Sequence, residues 1–262
     1  MQITLIGAGN IGSSLLEGLL HEGSQNPGDI TISDVNLQAL EHYRSLGMNT
    51  MTDNAGAVLG SSLIFVCVKP WLIEEVLGEI MPSLKPHQIL ISFAAGVSID
   101  RIAKETGEQP LCRVIPNTAM AVNASMGCIV AAPWTSPDQV SEVQNFLSKV
   151  GNTLIMKETE LDAATILASC GTAFALRYLR ASIEAGVEIG LRPGEATVLA
   201  AQSMLGAAKI ILEGGGHPEQ EIDKVTTPKG STITGLNAME KGGFSSALIQ
   251  GILTANGLYK KN

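Results

Sequence analysis

Short apolar runs alternate with amphipathic stretches over residues 1–157, and beyond that only helical spacing remains. Residues 3–6 form an apolar run rich in β-branched side chains that breaks at glycines and passes into a helical pattern over 13–20. Strand, tight turn and helix are predicted in that order. Residues 29–33 read as a second strand, and 37–46 as a helix closed by Gly47. A weak strand at 50–52 leads to Asp53-Asn54 as the cap of a short helix over 55–59. Residues 63–68 are apolar without a break, which suits a central parallel strand covered on both faces. Helices over 73–81 and 99–104 alternate with strands over 88–93 and 111–115. A strand over 126–132, a helix from the cap Ser136 through 150, and an edge strand over 153–156 complete the series. Such alternation predicts an α/β fold with a doubly wound, Rossmann-type, mostly parallel sheet, its connections right-handed where chirality applies. The helical stretches at 160–168, 172–189, 194–213, 218–224, 231–240 and 244–259 then predict an all-α domain. The expected division is 1–157 and 158–262.

Within the first segment the glycines stand in the spacing G-x-G-x-x-G, as Gly7, Ala8, Gly9, Asn10, Ile11 and Gly12. The first lets the chain turn off the strand, the second lets backbone approach a pyrophosphate, and the third lets the helix pack close. Free amides and the positive dipole end of the helix complete an anion site. Asp34 ends the second strand 22 residues after Gly12, where an acid grips a ribose hydroxyl. Together these predict a nicotinamide dinucleotide site. Because Asp34 repels a 2′-phosphate and Val35, Asn36 and Leu37 supply no cation, the local chemistry leans towards NADH. Three predicted strands end at one sheet edge with Lys69-Pro70, Ala94-Ala95-Gly96 and Pro116-Asn117-Thr118, placed to wall the nicotinamide. Lys69 alone is read equally well as a solvated strand end.

The chain has 262 residues, 45% apolar and 16% charged, with room for two domains and an ample core. A net charge of −8 without a Lys/Arg cluster argues against nucleic acid; the basic pair Lys260-Lys261 reads as a solvated end. Met1 leads straight into a strand, so a cytoplasmic protein is expected. The apolar run 196–212 carries Gln202, Ser203 and Lys209, so no membrane span is expected. Cys67, Cys112, Cys128 and Cys170 have neither metal nor disulfide spacing. The first three are expected as buried small hydrophobes, while Cys170 is either a pocket residue or an inert helix residue. No metal site is expected.

The second segment places Ala196, Ala200, Ala201, Ala207 and Ala208 at helical spacing. Small side chains let helices approach but bury little area, so a partner chain is expected to supply the remainder, a homodimer being simplest. A self-contained bundle is the alternative. His217, before Pro218, reads as a surface residue, and Asp162, Glu184 and Glu188 as solvated helix faces; no strong acid presents itself. The turn Thr226-Thr227-Pro228-Lys229-Gly230-Ser231-Thr232 opens a helix, and its hydroxyls and free amides suit a small carboxylate. A routine helix start capped by Ser231 or Thr232 fits the same spacing.

Over nearly its whole length the chain resembles the pyrroline-5-carboxylate reductase family. The resemblance is carried by Gly7-Ala8-Gly9-Asn10-Ile11-Gly12, Val68-Lys69-Pro70, Ala94-Ala95-Gly96-Val97-Ser98-Ile99 and Arg113-Val114-Ile115-Pro116-Asn117-Thr118. It continues through Gly206-Ala207-Ala208-Lys209, Val225-Thr226-Thr227-Pro228, Gly230-Ser231-Thr232-Ile233, Leu236 and Glu240-Lys241-Gly242-Gly243-Phe244. The resemblance implies a two-domain reductase whose helical domain interlocks two subunits, open to further assembly. Each active site would be completed across that interface. It implies that Asn54 contacts the adenosine portion and that Val68, Lys69 and Pro70 with Ala94, Ala95 and Gly96 line the nicotinamide side. The loop of Thr227, Gly230, Ser231 and Thr232, supplied by the partner chain, would hold the substrate carboxylate with backbone amides and hydroxyls, and Thr232, or a water it orients, would relay a proton to the ring nitrogen; Lys229, within that loop, either strengthens anion binding or faces solvent. Hydride addition to a cyclic imine carbon would yield proline, with NADH or NADPH as donor.

Two departures stand out. Ala168-Ser169-Cys170-Gly171-Thr172-Ala173-Phe174 replaces the family's Ser-Gly-Ser-Gly-Pro-Ala-Tyr, and Thr227-Pro228-Lys229-Gly230 replaces Ser-Pro-Gly-Gly. They leave open a reductase of a different cyclic imine or small keto acid. A dinucleotide-binding regulatory relative without catalysis is the third reading, opposed by the intact glycine motif and Thr232.

Overall fold

The structure, a computed structural model, describes residues 1–259, so Lys260-Lys261 lies outside the described residues. Eight strands form one sheet: β1 (Ile3–Ile6), β2 (Ile30–Ser33), β3 (Asn49–Met51), β4 (Leu63–Val66), β5 (Ile89–Ser92), β6 (Leu111–Ile115), β7 (Ser125–Ala131) and β8 (Gly151–Ile155). Their spatial order is β3-β2-β1-β4-β5-β6-β7-β8. Neighbours run parallel, with Ile6 beside both Ser33 and Val66, except where β6 meets β7 antiparallel. Residues 116–124 explain the exception. They form a short turn with 3-10 character over Thr118–Val122, too little chain for the crossover that a parallel return requires.

Between the strands lie α1 (Asn10–Leu20), α2 (Leu37–Ser45), α3 (Asn54–Ala57), α4 (Ile73–Ile80), α5 (Ile99–Thr106) and α6 (Pro137–Leu147). The predicted caps are used: Asp53 accepts from the Ala55 amide, and Ser136 makes a reciprocal box with Gln139. The apolar run of β4 is explained by two separate cores. Leu63 and Phe65 pack on one face with Leu15, Leu19 and Phe146, while Ile64 and Val66 pack on the other with Val76, Leu77 and Ile102. Each such buried side chain contributes roughly 1.5–3 kcal/mol. α7 (Glu158–Ala164) follows β8, and its Glu158 pairs with the buried Arg113 of β6 while also accepting the Ile99 amide at 2.8 Å. A π-helical stretch, Thr165–Cys170, comes next. Met1–Cys170 makes one compact unit.

Gly171–Gly257 makes the other, and it contains no strand. Its helices are α8 (Gly171–Glu188), α9 (Pro193–Gly214), α10 (Pro218–Lys224), α11 (Ser231–Lys241) and α12 (Phe244–Tyr259). The small residues act as expected where α8 meets α9: a Cβ on Gly186 would stand 3.0 Å from the Ala196 Cβ. Ala196 is the one core hydrophobic of this unit among the described residues, and Ile189, Val198, Leu199 and Leu212 are all more than half exposed.

Candidate active site

Strand order reverses at β1, and in open parallel sheets the crevice beyond the carboxyl ends at such a switch point is where ligands bind. A cleft of about 570 Å³ opens there. Gly7, Gly9, Asn10 and Ile11 line it from the β1 turn, Asp34 and Val35 from the end of β2, and Thr52 and Asn54 from beyond β3. Cys67, Val68, Lys69 and Pro70 come from just beyond β4, and Phe93, Ala94 and Ala95 from just beyond β5.

Each motif glycine has its own physical reason. Gly7 sits at φ +96°, the left-handed region that β-carbons disfavour, and its amide continues the ladder to the Ser33 carbonyl at 2.9 Å. At Gly12 a Cβ would fall 2.1 Å from the Gly7 carbonyl oxygen, so close packing of α1 forbids any other residue. Gly9 differs: a Cβ there would meet nothing within 4 Å, and its φ of −73° suits any residue. The protein itself gives no cause for this glycine, whereas a pyrophosphate lying on the backbone does. Gly9 is also the N-cap of α1 with no side-chain cap, which leaves the first amides of α1 for phosphate oxygens. The residues present therefore fit a dinucleotide.

Asp34 is half-buried on the cleft wall and turned partly inward. Its Oδ2 accepts the Ala8 amide and its Oδ1 the Asn36 amide, so the acid braces the glycine turn. Asn54 donates from Nδ2 to Glu79 Oε2 at 2.6 Å. Glu75 and Glu79, which no motif singles out, line the cleft from α4. Their i,i+4 spacing on the helix that follows Lys69-Pro70, opposite the buried Ile73, Val76, Leu77 and Ile80, is the signal that could have found them.

Some expected residues are placed elsewhere. Asn117 is 7% exposed and absent from the cleft wall; its Oδ1 accepts from the Ala119 amide and its Nδ2 donates to the Ala168 carbonyl, so its amide serves the fold. Ala8, Gly12 and Gly96 likewise lie outside the lining, the first two supporting the turn from within. Cys67, expected to be buried, is half-buried and lines the cleft, while Cys112 and Cys128 are core residues. Burial pushes the Cys67 thiol well up, and Cys112 up to about 12, so neither is a nucleophile near neutral pH.

In the helical unit, Thr227-Pro228-Lys229-Gly230 forms a turn closed by the Gly230 amide on the Thr227 carbonyl at 2.9 Å. Proline in second place and a positive φ of 61° at Lys229 mark it as type II. Neither Ser231 nor Thr232 caps α11: Gly230 is the N-cap, no side-chain hydrogen bond is made there, and both hydroxyl residues are exposed. The routine-cap reading is thereby corrected. His217 is exposed and caps α10, its Nδ1 accepting the Glu219 amide at 3.2 Å, a structural task.

Sheet order, glycine turn and cleft define a nicotinamide-dinucleotide oxidoreductase fold followed by an all-helical segment. Residues 2–96 match the family model described as NADP oxidoreductase, coenzyme F420-dependent, and residues 158–261 match the one described as pyrroline-5-carboxylate reductase dimerisation. The chain is 36% identical over 266 residues to pyrroline-5-carboxylate reductase 1 of Dictyostelium discoideum, covering 97% of this chain and 48% of that one, so it spans about half of that relative's length. It is 33% identical to pyrroline-5-carboxylate reductase of Corynebacterium melassecola, over 94% of this chain and 92% of the relative. A solved pyrroline-5-carboxylate reductase from Coxiella burnetii superposes with a TM-score of 0.88 at 28% identity, over 99% of this chain and 97% of that one. The chain belongs to the pyrroline-5-carboxylate reductase family.

Proposed function

We propose that the protein reduces 1-pyrroline-5-carboxylate to L-proline in the cytoplasm, in the biosynthesis of that amino acid. The observation that carries this reading is Gly9, a glycine with open space before it at the switch point of a sheet whose chain aligns with reductases of this name from end to end. A nicotinamide held in the cleft would supply the hydride for the imine carbon. Residues 1–157 bind and orient the dinucleotide: the Gly7 to Gly12 turn takes the pyrophosphate, Asp34 and Asn54 the adenosine side, and Val68, Lys69, Pro70, Ala94 and Ala95 the nicotinamide side. Residues 158–262 supply the dimer contacts and the substrate loop. There the Thr227 and Ser231 hydroxyls, the free Ser231 and Thr232 amides at the start of α11 and Lys229 hold the substrate carboxylate, with Gly230 closing the turn that presents them. Thr232, or a water it orients, passes a proton to the ring nitrogen; a cyclic imine that arrives protonated asks for no stronger acid.

The helix α9 supports a homodimer. Its most apolar window has a mean hydropathy of 1.3 and is 6% buried, a length and composition that would also cross a membrane. We read that surface as covered by a second copy, as the match of residues 158–261 to a dimerisation model favours. Cofactor choice between NADH and NADPH leans to NADH, because Asp34 lines the cleft from the end of β2 and residues 35–37 offer no cation.

The altered segment Ala168 to Phe174 and the lysine at 229 favour, as a second reading, reduction of another cyclic imine or a small keto acid on the same scaffold. Loss of NAD(P)H absorbance on adding pyrroline-5-carboxylate separates these. Turnover with that substrate alone supports the first reading, and turnover only with other imines or keto acids the second. Cofactor binding without any turnover makes the protein a non-catalytic relative. Thr232→Ala should impair reduction while sparing cofactor binding; unimpaired reduction would remove Thr232 from the mechanism.

A further inference from the structure

Beyond the wall residues named by the motif, the lining of the cleft carries three acids, Asp34, Glu75 and Glu79, and Glu79 is bonded to Asn54, the residue proposed for the adenosine side. Asp34 stands at the end of β2, and Glu79 lines the same cleft from α4, one of its oxygens fixed by Asn54 Nδ2 at 2.6 Å. Glu75 lines the same cleft one helical turn earlier. Lys69 is the one cation among the described lining residues, and it belongs to the end of β4. We propose that Glu79, held by Asn54, is a determinant of cofactor choice that disfavours a 2′-phosphorylated dinucleotide. The inference rests on the reading that this cleft takes a dinucleotide.

The argument is electrostatic and positional. A 2′-phosphate adds about 1.5–2 negative charges at pH 7, and a ribose hydroxyl adds none. Asp34 alone is a weaker sensor than its position implies, because both of its oxygens already accept backbone amides from Ala8 and Asn36. Asn54 is the first residue of α3, so its side chain leaves a rigid helix start and sets where the Glu79 carboxylate stands. One Glu79 oxygen stays available to oppose a phosphate. Glu79 is exposed, so salt screens its effect, and a moderate discrimination is expected in place of an absolute one.

The test is calorimetric titration of NADH and NADPH, without substrate, into the wild type, Glu79→Gln and Glu105→Gln. Glutamine keeps an acceptor for Asn54 and removes the charge; Glu105 is an exposed acid of α5 outside the cleft lining, so its variant controls for net charge. The ratio of NADPH to NADH dissociation constants should fall about fivefold in Glu79→Gln, through tighter NADPH binding. It should hold at the wild-type value in Glu105→Gln, and the Glu79 effect should shrink as salt is raised. An unchanged ratio in Glu79→Gln, or an equal change in both variants, overturns the inference and leaves the dinucleotide site standing. A wild type that binds neither nucleotide overturns the site itself.

Discussion

Asp34 reaches from the end of β2 to hold the turn at the end of β1, its Oδ2 accepting the Ala8 amide at 2.6 Å. Its other oxygen takes the Asn36 amide at 2.7 Å, which ties the loop after β2 to the same carboxylate. The acid that reads as a ribose ligand is therefore also the brace that shapes the phosphate turn. Asp34→Ala strips both amides of a charged acceptor, and hydrogen bonds to charged groups contribute about 1.5–3 kcal/mol. The variant should unfold at lower urea and bind NADH about tenfold more weakly or worse, the equivalent of about 1.4 kcal/mol. Undiminished NADH affinity would mean that the turn holds its shape without the brace.

Gly9 and Gly12 lie in one motif and answer to different demands, so the same substitution should separate them. Gly12→Ala drives a Cβ to within 2.1 Å of the Gly7 carbonyl, a backbone atom with nowhere to go. A loss of about 1–3 kcal/mol or more is expected from such overpacking. Gly9→Ala meets nothing within 4 Å and should melt within a degree or two of the wild type. Its cost falls on the ligand: calorimetry should show dinucleotide affinity lowered by about tenfold or more. Equal stability losses in the two variants would refute the assignment of Gly9 to the cofactor.

Periodicity carries far in this chain because the first unit is layered by the usual rules. β4 is apolar throughout because both faces are covered, and β6 and α10 begin and end where the spacing places them. What periodicity does not carry is which way a chain returns: the antiparallel β6-β7 pair depends on the length of residues 116–124. Side-chain commitment was also hidden. Asn117 reads as a pocket residue because it follows a strand end, yet its amide bonds Ala119 and Ala168, 51 residues apart in the latter case. Glu79 is illegible for the opposite reason, since an exposed acid on an amphipathic helix reads as a solvated face and only its bond to Asn54 sets it apart.

Lys229 occupies the third position of the type II turn at φ +61°, where the family resemblance places glycine. A left-handed conformation costs a residue with a β-carbon roughly 1–2 kcal/mol. Lys229→Gly should therefore raise stability by about 1 kcal/mol, less the entropy that glycine returns to the unfolded chain. The same change removes a cation from the loop proposed to hold a carboxylate, so KM for an anionic substrate should rise with kcat little altered. Lys229→Arg keeps charge and strain alike and should match the wild type in both measurements. A Lys229→Gly variant of unaltered KM would place the lysine in solvent.

Burial raises the Cys112 thiol from its ordinary value of 9.0 to about 12, and the resulting pH dependence has a definite sign. Above pH 9 the unfolded chain gives up this proton while the folded chain keeps it, so the unfolded state binds fewer protons and stability falls as pH rises. The contribution is full below about pH 9 and is lost towards pH 12, at up to about 1.4 kcal/mol per pH unit for a single thiol. The half-buried Cys67 adds to the same alkaline slope. Cys112→Ala should lower stability at pH 7 by about 1 kcal/mol through the cavity it leaves, and yet flatten the decline between pH 9 and 11. Urea unfolding at fixed pH across that window measures both. If the slope of the variant equals that of the wild type, the thiol at 112 is not what the alkaline loss reports.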